Sequence, residues 1–134
     1  QMNGSVFDFS RFEKLKYMNI ETYRRSGEGV ATPVWFVESG GALFLLTRGD
    51  SGKVKRLRHN KSVMVAPCKM DGELTGEWMP GEASFVESED AVEEIKSLFD
   101  EKYGTLSRLT HVFSRLQRKK RVFIKVIPEE EKKQ

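Results

Sequence analysis

Apolar and polar positions alternate with a period of two through much of the chain, the mark of half-buried strands. Tyr17 to Arg25 reads as a strand ended by Ser26-Gly27-Glu28-Gly29. Val30 to Glu38 reads as a second strand, and Ser39-Gly40-Gly41 as a hairpin turn into a third, Ala42 to Arg48. Gly49-Asp50-Ser51-Gly52 breaks that strand, and Lys53 to Asn60 follows as a short helix with Val54 and Leu57 on one side. Further strands are predicted over Ser62 to Cys68, around Glu73 to Met79, and from Glu82 to Glu87, with Met70-Asp71-Gly72 and Pro80-Gly81 as punctuation.

The period changes to that of a helix in three other places. Ser10-Arg11-Phe12-Glu13 has the form of a capping box, which predicts a short helix. Ser88, Glu89 and Asp90 open a helix whose apolar stripe is Val92, Ile95, Leu98 and Phe99, and Gly104 stops it. Leu106, Leu109, Phe113 and Leu116 form a second stripe, running through Lys119. A closing strand then alternates Val122, Ile124 and Val126 with Phe123, Lys125 and Ile127.

Six or seven short antiparallel strands with tight turns and flanking helices predict an α+β, mainly β fold built on a closed or partly closed barrel. No repeat or linker interrupts the pattern. A single domain is expected over residues 1–134, with an ordered core about 8–127 and a charged tail 128–134. A chain of this length buries roughly two-thirds of its unfolded surface, so neither disulfide nor metal is needed to hold it.

Composition narrows the function classes. The longest apolar run, Ala42 to Leu46, is far too short to span a membrane. No secretory apolar segment follows the start, so a cytoplasmic location is expected. Cys68 is the only cysteine and reads as a small apolar filler at a strand end. His59 and His111 stand far apart with no acidic ligand pattern, so no metal is expected. No nucleophile constellation appears either, which leaves a bound cofactor to carry any reaction.

Net charge is only +3, from 23 basic and 20 acidic residues. Its distribution says more. Lys53, Lys55, Arg56, Arg58 and Lys61 share a stretch without acids. Such a patch favours an anionic partner. Thr47 and Ser51 offer hydroxyls, the turn runs into a helix start, and Lys53 and Arg56 share a helical face. The segment lacks the Walker A pattern, and a solvated basic helix is the plain alternative.

The second strand is apolar on both faces, with Thr32 as the polar exception and Pro33 in its middle. Proline removes a ladder donor, so this strand lies at an edge or a bulge. Its two faces call for core on one side and a subunit or ligand on the other. An edge strand covered by a helix satisfies the same pattern. A nucleic-acid-binding barrel would use the same basic residues with Trp35, Phe36, Phe44 and Trp78 as stacking platforms. These aromatics lie in apolar strands and read better as core, and the overall charge is modest for such a role.

Several segments in order carry a resemblance. They are Thr32-Pro33-Val34-Trp35-Phe36, Leu45-Leu46-Thr47, Ser51-Gly52-Lys53-Val54-Lys55-Arg56-Leu57-Arg58 with Asn60, Val63-Met64-Val65-Ala66-Pro67, Gly72, and Gly76-Glu77-Trp78 with Gly81-Glu82-Ala83. Together they resemble the pyridoxamine-phosphate-oxidase-like flavin and deazaflavin oxidoreductases, most of all the branch using coenzyme F420. The resemblance implies a split β-barrel that forms a homodimer, with cofactor clefts at the subunit interface. It implies that Thr32, Pro33, Val34 and Trp35 run along the cofactor rings. Leu46, Thr47, Ser51, Gly52, Lys53 and Arg56 would hold the phosphate side. Trp78 would approach from the other subunit. The end of the chain lacks the arginine- and tryptophan-bearing segment of true pyridoxamine phosphate oxidases, which points away from vitamin B6 chemistry. The expected function is hydride transfer from reduced F420 to a small organic substrate. The alternatives are an FMN-binding flavin reductase on the same fold and, from another class, the nucleic-acid-binding barrel.

Overall fold

The computed structural model describes residues 9–104 and 121–129. Its seven strands are β1 (Met18–Tyr23), β2 (Gly29–Val34), β3 (Phe36–Ser39), β4 (Ala42–Arg48), β5 (Ser62–Pro67), β6 (Met79–Val86) and β7 (Arg121–Pro128). Two helices, α1 (Gly52–His59) and α2 (Glu89–Tyr103), and a 3-10 turn, Ser10–Phe12, complete the described chain.

All strands join one antiparallel sheet in the order β2-β1-β5-β6-β7-β4-β3. The two outermost strands, β2 and β3, are separated in sequence by Trp35 alone. The far ends of the sheet are therefore tied together, and the sheet must curl into a split barrel. The predicted fold class is what forms.

Strand alternation sorts the core into two compartments. Phe36, Leu43, Leu45 and Ile124 point into the barrel, where Leu57 of α1 joins them. The intervening residues Val37 and Phe123 point outward and are covered by Ile95, Phe99 and Tyr103 of α2. Ser88 caps α2 by accepting the Ala91 N–H at 3.3 Å, and Gly104 ends the helix at φ 81°.

Four local expectations need correction. The continuous strand Val30 to Glu38 is two strands, because the chain turns at Trp35 and the halves pair with different neighbours. The segment around Glu73 to Met79 is no strand. Cys68 and Leu74 form one isolated bridge, and Leu74 remains 42% exposed. Pro80 and Gly81 are not a turn but lie inside β6. Gly81 is needed there because a Cβ would stand 2.8 Å from the Val126 Cγ1. The turn over Ser10–Phe12 has Phe9, not Ser10, at its N-cap, with no side-chain cap there. The second stripe from Leu106 to Leu116, His111 and the tail beyond residue 129 lie outside the described residues.

Candidate cofactor site

The site grows from the turn between β4 and α1. Ser51 sits in extended backbone at the N-cap of α1, and its Oγ accepts the Val54 N–H at 3.3 Å. Thr47, at the end of β4 and 9% exposed, donates its hydroxyl to the Ser51 Oγ at 3.1 Å. The first turn of α1 contains no acid. The Gly52 and Lys53 amides, like those of any first turn, have no partner inside the helix. They add the positive end of the helix dipole.

Two cations close over this turn. Lys53 reaches across to β2 and donates to the Thr32 Oγ1 at 3.2 Å. Arg56 donates through Nε to the Thr22 Oγ1 at 2.6 Å. The Arg56 guanidinium then lies so near Gly52 that a Cβ there would stand 2.8 Å from its Nη1. Any other residue at 52 would push the guanidinium off the helix start.

The electrostatics of this pair are uncompensated. Neither Lys53 nor Arg56 forms an ion pair among the described residues. Burial lowers the affinity of Lys53 for its proton, and the neighbouring Arg56 lowers it further. Burial also depresses Arg56, with repulsion from Arg24 second. A partly desolvated cation without a counter-charge costs free energy. An anion bound here would supply the missing charge, so the donor set fits a phosphate.

The described residues hold three buried polar side chains, and all three serve this region. Thr22 anchors Arg56 and Thr47 anchors Ser51. Asn19 pairs with Pro33 across the β1–β2 ladder and donates to the Gly72 carbonyl at 2.8 Å. That bond fixes the 68–78 loop beside β2, where a Cβ on Gly72 would meet the Pro33 Cγ at 3.8 Å. Thr22 and Asn19 were not among the residues the sequence singled out. One signal was available for Thr22: it occupies the same face of β1 as buried Met18 and Ile20, a slot where an apolar residue is expected.

The predicted site residues are thus partly united. Thr32, Thr47, Ser51, Gly52, Lys53 and Arg56 come together. Pro33 is exposed on the edge strand, as a mid-strand proline requires, and Val34 packs inward against the barrel core. Trp35 turns away, stacking on Tyr103 at 4.9 Å with an interplanar angle of 18°. Leu46 packs with it in the α2 compartment. Trp78 is half-buried just before β6, and no hydrogen bond or ring contact joins it to the α1 cluster among the described residues. The predicted basic patch also divides. Lys53 and Arg56 face β1 and β2, whereas Arg58 and Lys61 lie over the Phe85 ring at 5.7 and 5.6 Å.

Other candidate chemistry recedes. Burial, and then Asp71, pushes the Cys68 thiol up, so it is a poor nucleophile. Phe36 is fully buried, which removes one of the proposed stacking platforms. Among the described residues no three His, Cys, Asp or Glu side chains are placed to hold a metal. None of their helices is long and apolar enough to cross a membrane.

A split barrel with a cationic cradle at a helix start is the architecture of a class of cofactor-binding proteins. Over residues 9–134 the sequence matches the pyridoxamine 5'-phosphate oxidase family, and the chain belongs to it. No curated protein matches in sequence. Among solved structures the fold is similar to that of HutZ, the heme storage protein from Vibrio cholerae. The TM-score is 0.69 at 19% identity, over 90% of this chain and 86% of that one. It is also similar to the conserved hypothetical protein Rv2991 from Mycobacterium tuberculosis, with TM-score 0.71 and 20% identity over 97% and 82% of the two chains. An F420 reductase aligns with TM-score 0.59 and 17% identity over 94% of this chain and 97% of that one.

Proposed function

We propose that this protein is a homodimeric reductase that binds coenzyme F420 and passes hydride from it to a small organic substrate. One observation carries the reading: the desolvated, unpaired cations Lys53 and Arg56 at an acid-free helix start, braced by Thr32 and Thr22. Family membership and the fold shared with an F420 reductase support the choice of cofactor. Reduced F420, when bound, supplies the hydride. The protein's part is to bind and orient. Ser51, Gly52, Lys53 and Arg56 hold the phosphate, and Thr32 and Pro33 present the edge of β2 to the rings. No side chain is assigned as nucleophile or base. The outer face of β2, where Ala31 and Pro33 are exposed, is assigned to the subunit interface that completes the cleft.

The test is a visible-absorption titration of the purified protein with F420 and, separately, with FMN. Saturable binding of F420, tighter than that of FMN, is the expected outcome. Preference for FMN would make the protein a flavin-binding member of the same family. If neither binds saturably, the cofactor reading is wrong.

A further inference from the structure

A second hollow lies on the other side of α1. It has a volume of about 480 Å³ and is formed where β6, the start of β7 and the first turn of α2 meet. That volume is in the range of small-molecule sites. We infer that it binds an apolar monoanion of about the size of an aromatic carboxylate. The inference holds whichever cofactor the first site takes.

The floor is apolar. Phe85 and Val86 come from β6, Val122 and Phe123 from β7, and Val92 from α2. Val86 pairs with Phe123 across the β6–β7 ladder and packs with Val92 on the α2 side, while Phe85 and Val122 lie on the barrel side, so the hollow sits at the end of the sheet where both faces contribute. The charged groups stand around it. Arg58 arrives from the last turn of α1, Arg121 is the first residue of β7, and Glu87 follows β6. Neither arginine forms an ion pair among the described residues. Glu87 is the one acid among the lining residues, so the lining carries one net positive charge beside its apolar side chains.

This balance selects the ligand. A neutral apolar molecule would cover the floor but desolvate an arginine without compensation. A carboxylate on an apolar body satisfies both, and an arginine fork matches its geometry. Arg58 is held in place by the Phe85 ring beneath its Cζ, with Lys61 over the same ring.

The experiment titrates the full chain with 2-naphthoate and with its neutral counterpart, 2-naphthalenemethanol, following backbone amide shifts by NMR. The expected result is at least tenfold tighter binding of the carboxylate, with the largest shifts at Phe85, Val92 and Val122. The double substitution Arg58→Gln, Arg121→Gln should abolish that preference. A separate variant, Val92→Trp, keeps both arginines but fills the hollow, and should remove binding of both compounds. Equal affinity for the two compounds in the unmodified protein would overturn the inference. So would shifts centred on Lys53 and Thr32, or naphthoate binding that survives Val92→Trp.

Discussion

β2 and β3 are consecutive in sequence, and both are sheet borders, yet their surroundings are opposite. On β3 the free backbone edge is sealed by α2. The Tyr103 hydroxyl accepts the Phe36 N–H at 3.0 Å and stands 2.7 Å from the Phe36 carbonyl, and Lys102 donates to that carbonyl at 2.9 Å. On β2 Ala31 and Pro33 remain exposed, with only the loop at Gly72 beside the Pro33 ring, and the polar groups nearby are the braced cations of α1. One border is therefore built for stability and the other is left for binding. Apolar character alone does not tell these fates apart. What separates them is whether another element of the same chain has side chains to spare for the unpaired backbone.

The largest effect should come from Phe36→Ala on the sealed border. Phe36 is fully buried and meets Phe12 edge-on at 6.0 Å between ring centroids. Its removal should cost about 3–5 kcal/mol in denaturant unfolding. Pro33→Ala on the open border should stay within about 0.5 kcal/mol. Similar costs at both positions would erase the distinction between the borders.

Next in size is Lys53→Ala. It should weaken F420 binding by about 1–3 kcal/mol, read from the absorption titration, through loss of a charge-assisted phosphate contact. Stability without cofactor should not fall by a similar amount, because the cation has no counter-charge to lose. Unchanged cofactor affinity in this variant would remove Lys53 from the cradle.

The smallest effect concerns pH and the seal itself. Burial lowers the Lys102 ammonium to about 8, with Glu38 and Glu13 pulling the other way. Between pH 8 and the ordinary lysine value of 10.5 the unfolded chain holds this proton and the folded chain does not. The Lys102 contribution to stability therefore rises with pH across that window and is lost as pH falls through it. Lys102→Met should flatten this slope. The difference between the two proteins' unfolding free energies at pH 7.5 and 9.5 should change by about 1 kcal/mol, allowing for screening of a half-buried amine. Parallel pH profiles would show that the amine titrates normally.

Much of this arrangement was legible in the sequence because local rules governed it. Gly40 and Gly41 adopt φ 62° and 85°, the left-handed turn that a glycine pair between strands announces. Ser88 and Gly104 bound α2 as read, and Ser51, Gly52 and Lys53 form a helix start with hydroxyl and cation in reach. The corner at Trp35 was not legible. The run Val30 to Glu38 has no break, and only pairing with strands elsewhere divides it. Thr22 was hidden for a related reason, since its partner Arg56 is 34 residues away and the sheet alone brings them together. Trp35 was read as a ring-cleft residue because an indole beside Pro33 suits such a cleft in sequence, and its stacking on Tyr103 of α2 could not be seen there.

The position of β7 sets a condition on assembly. The ladders β1–β2 and β3–β4 each join neighbours in sequence, so they can form early. β7 alone pairs with both β6 and β4. A chain emerging from the ribosome without it has two separate groups of strands, β2-β1-β5-β6 and β4-β3, that share no ladder. The C-terminal strand is thus the keystone, and the barrel can first close when Arg121–Pro128 arrives.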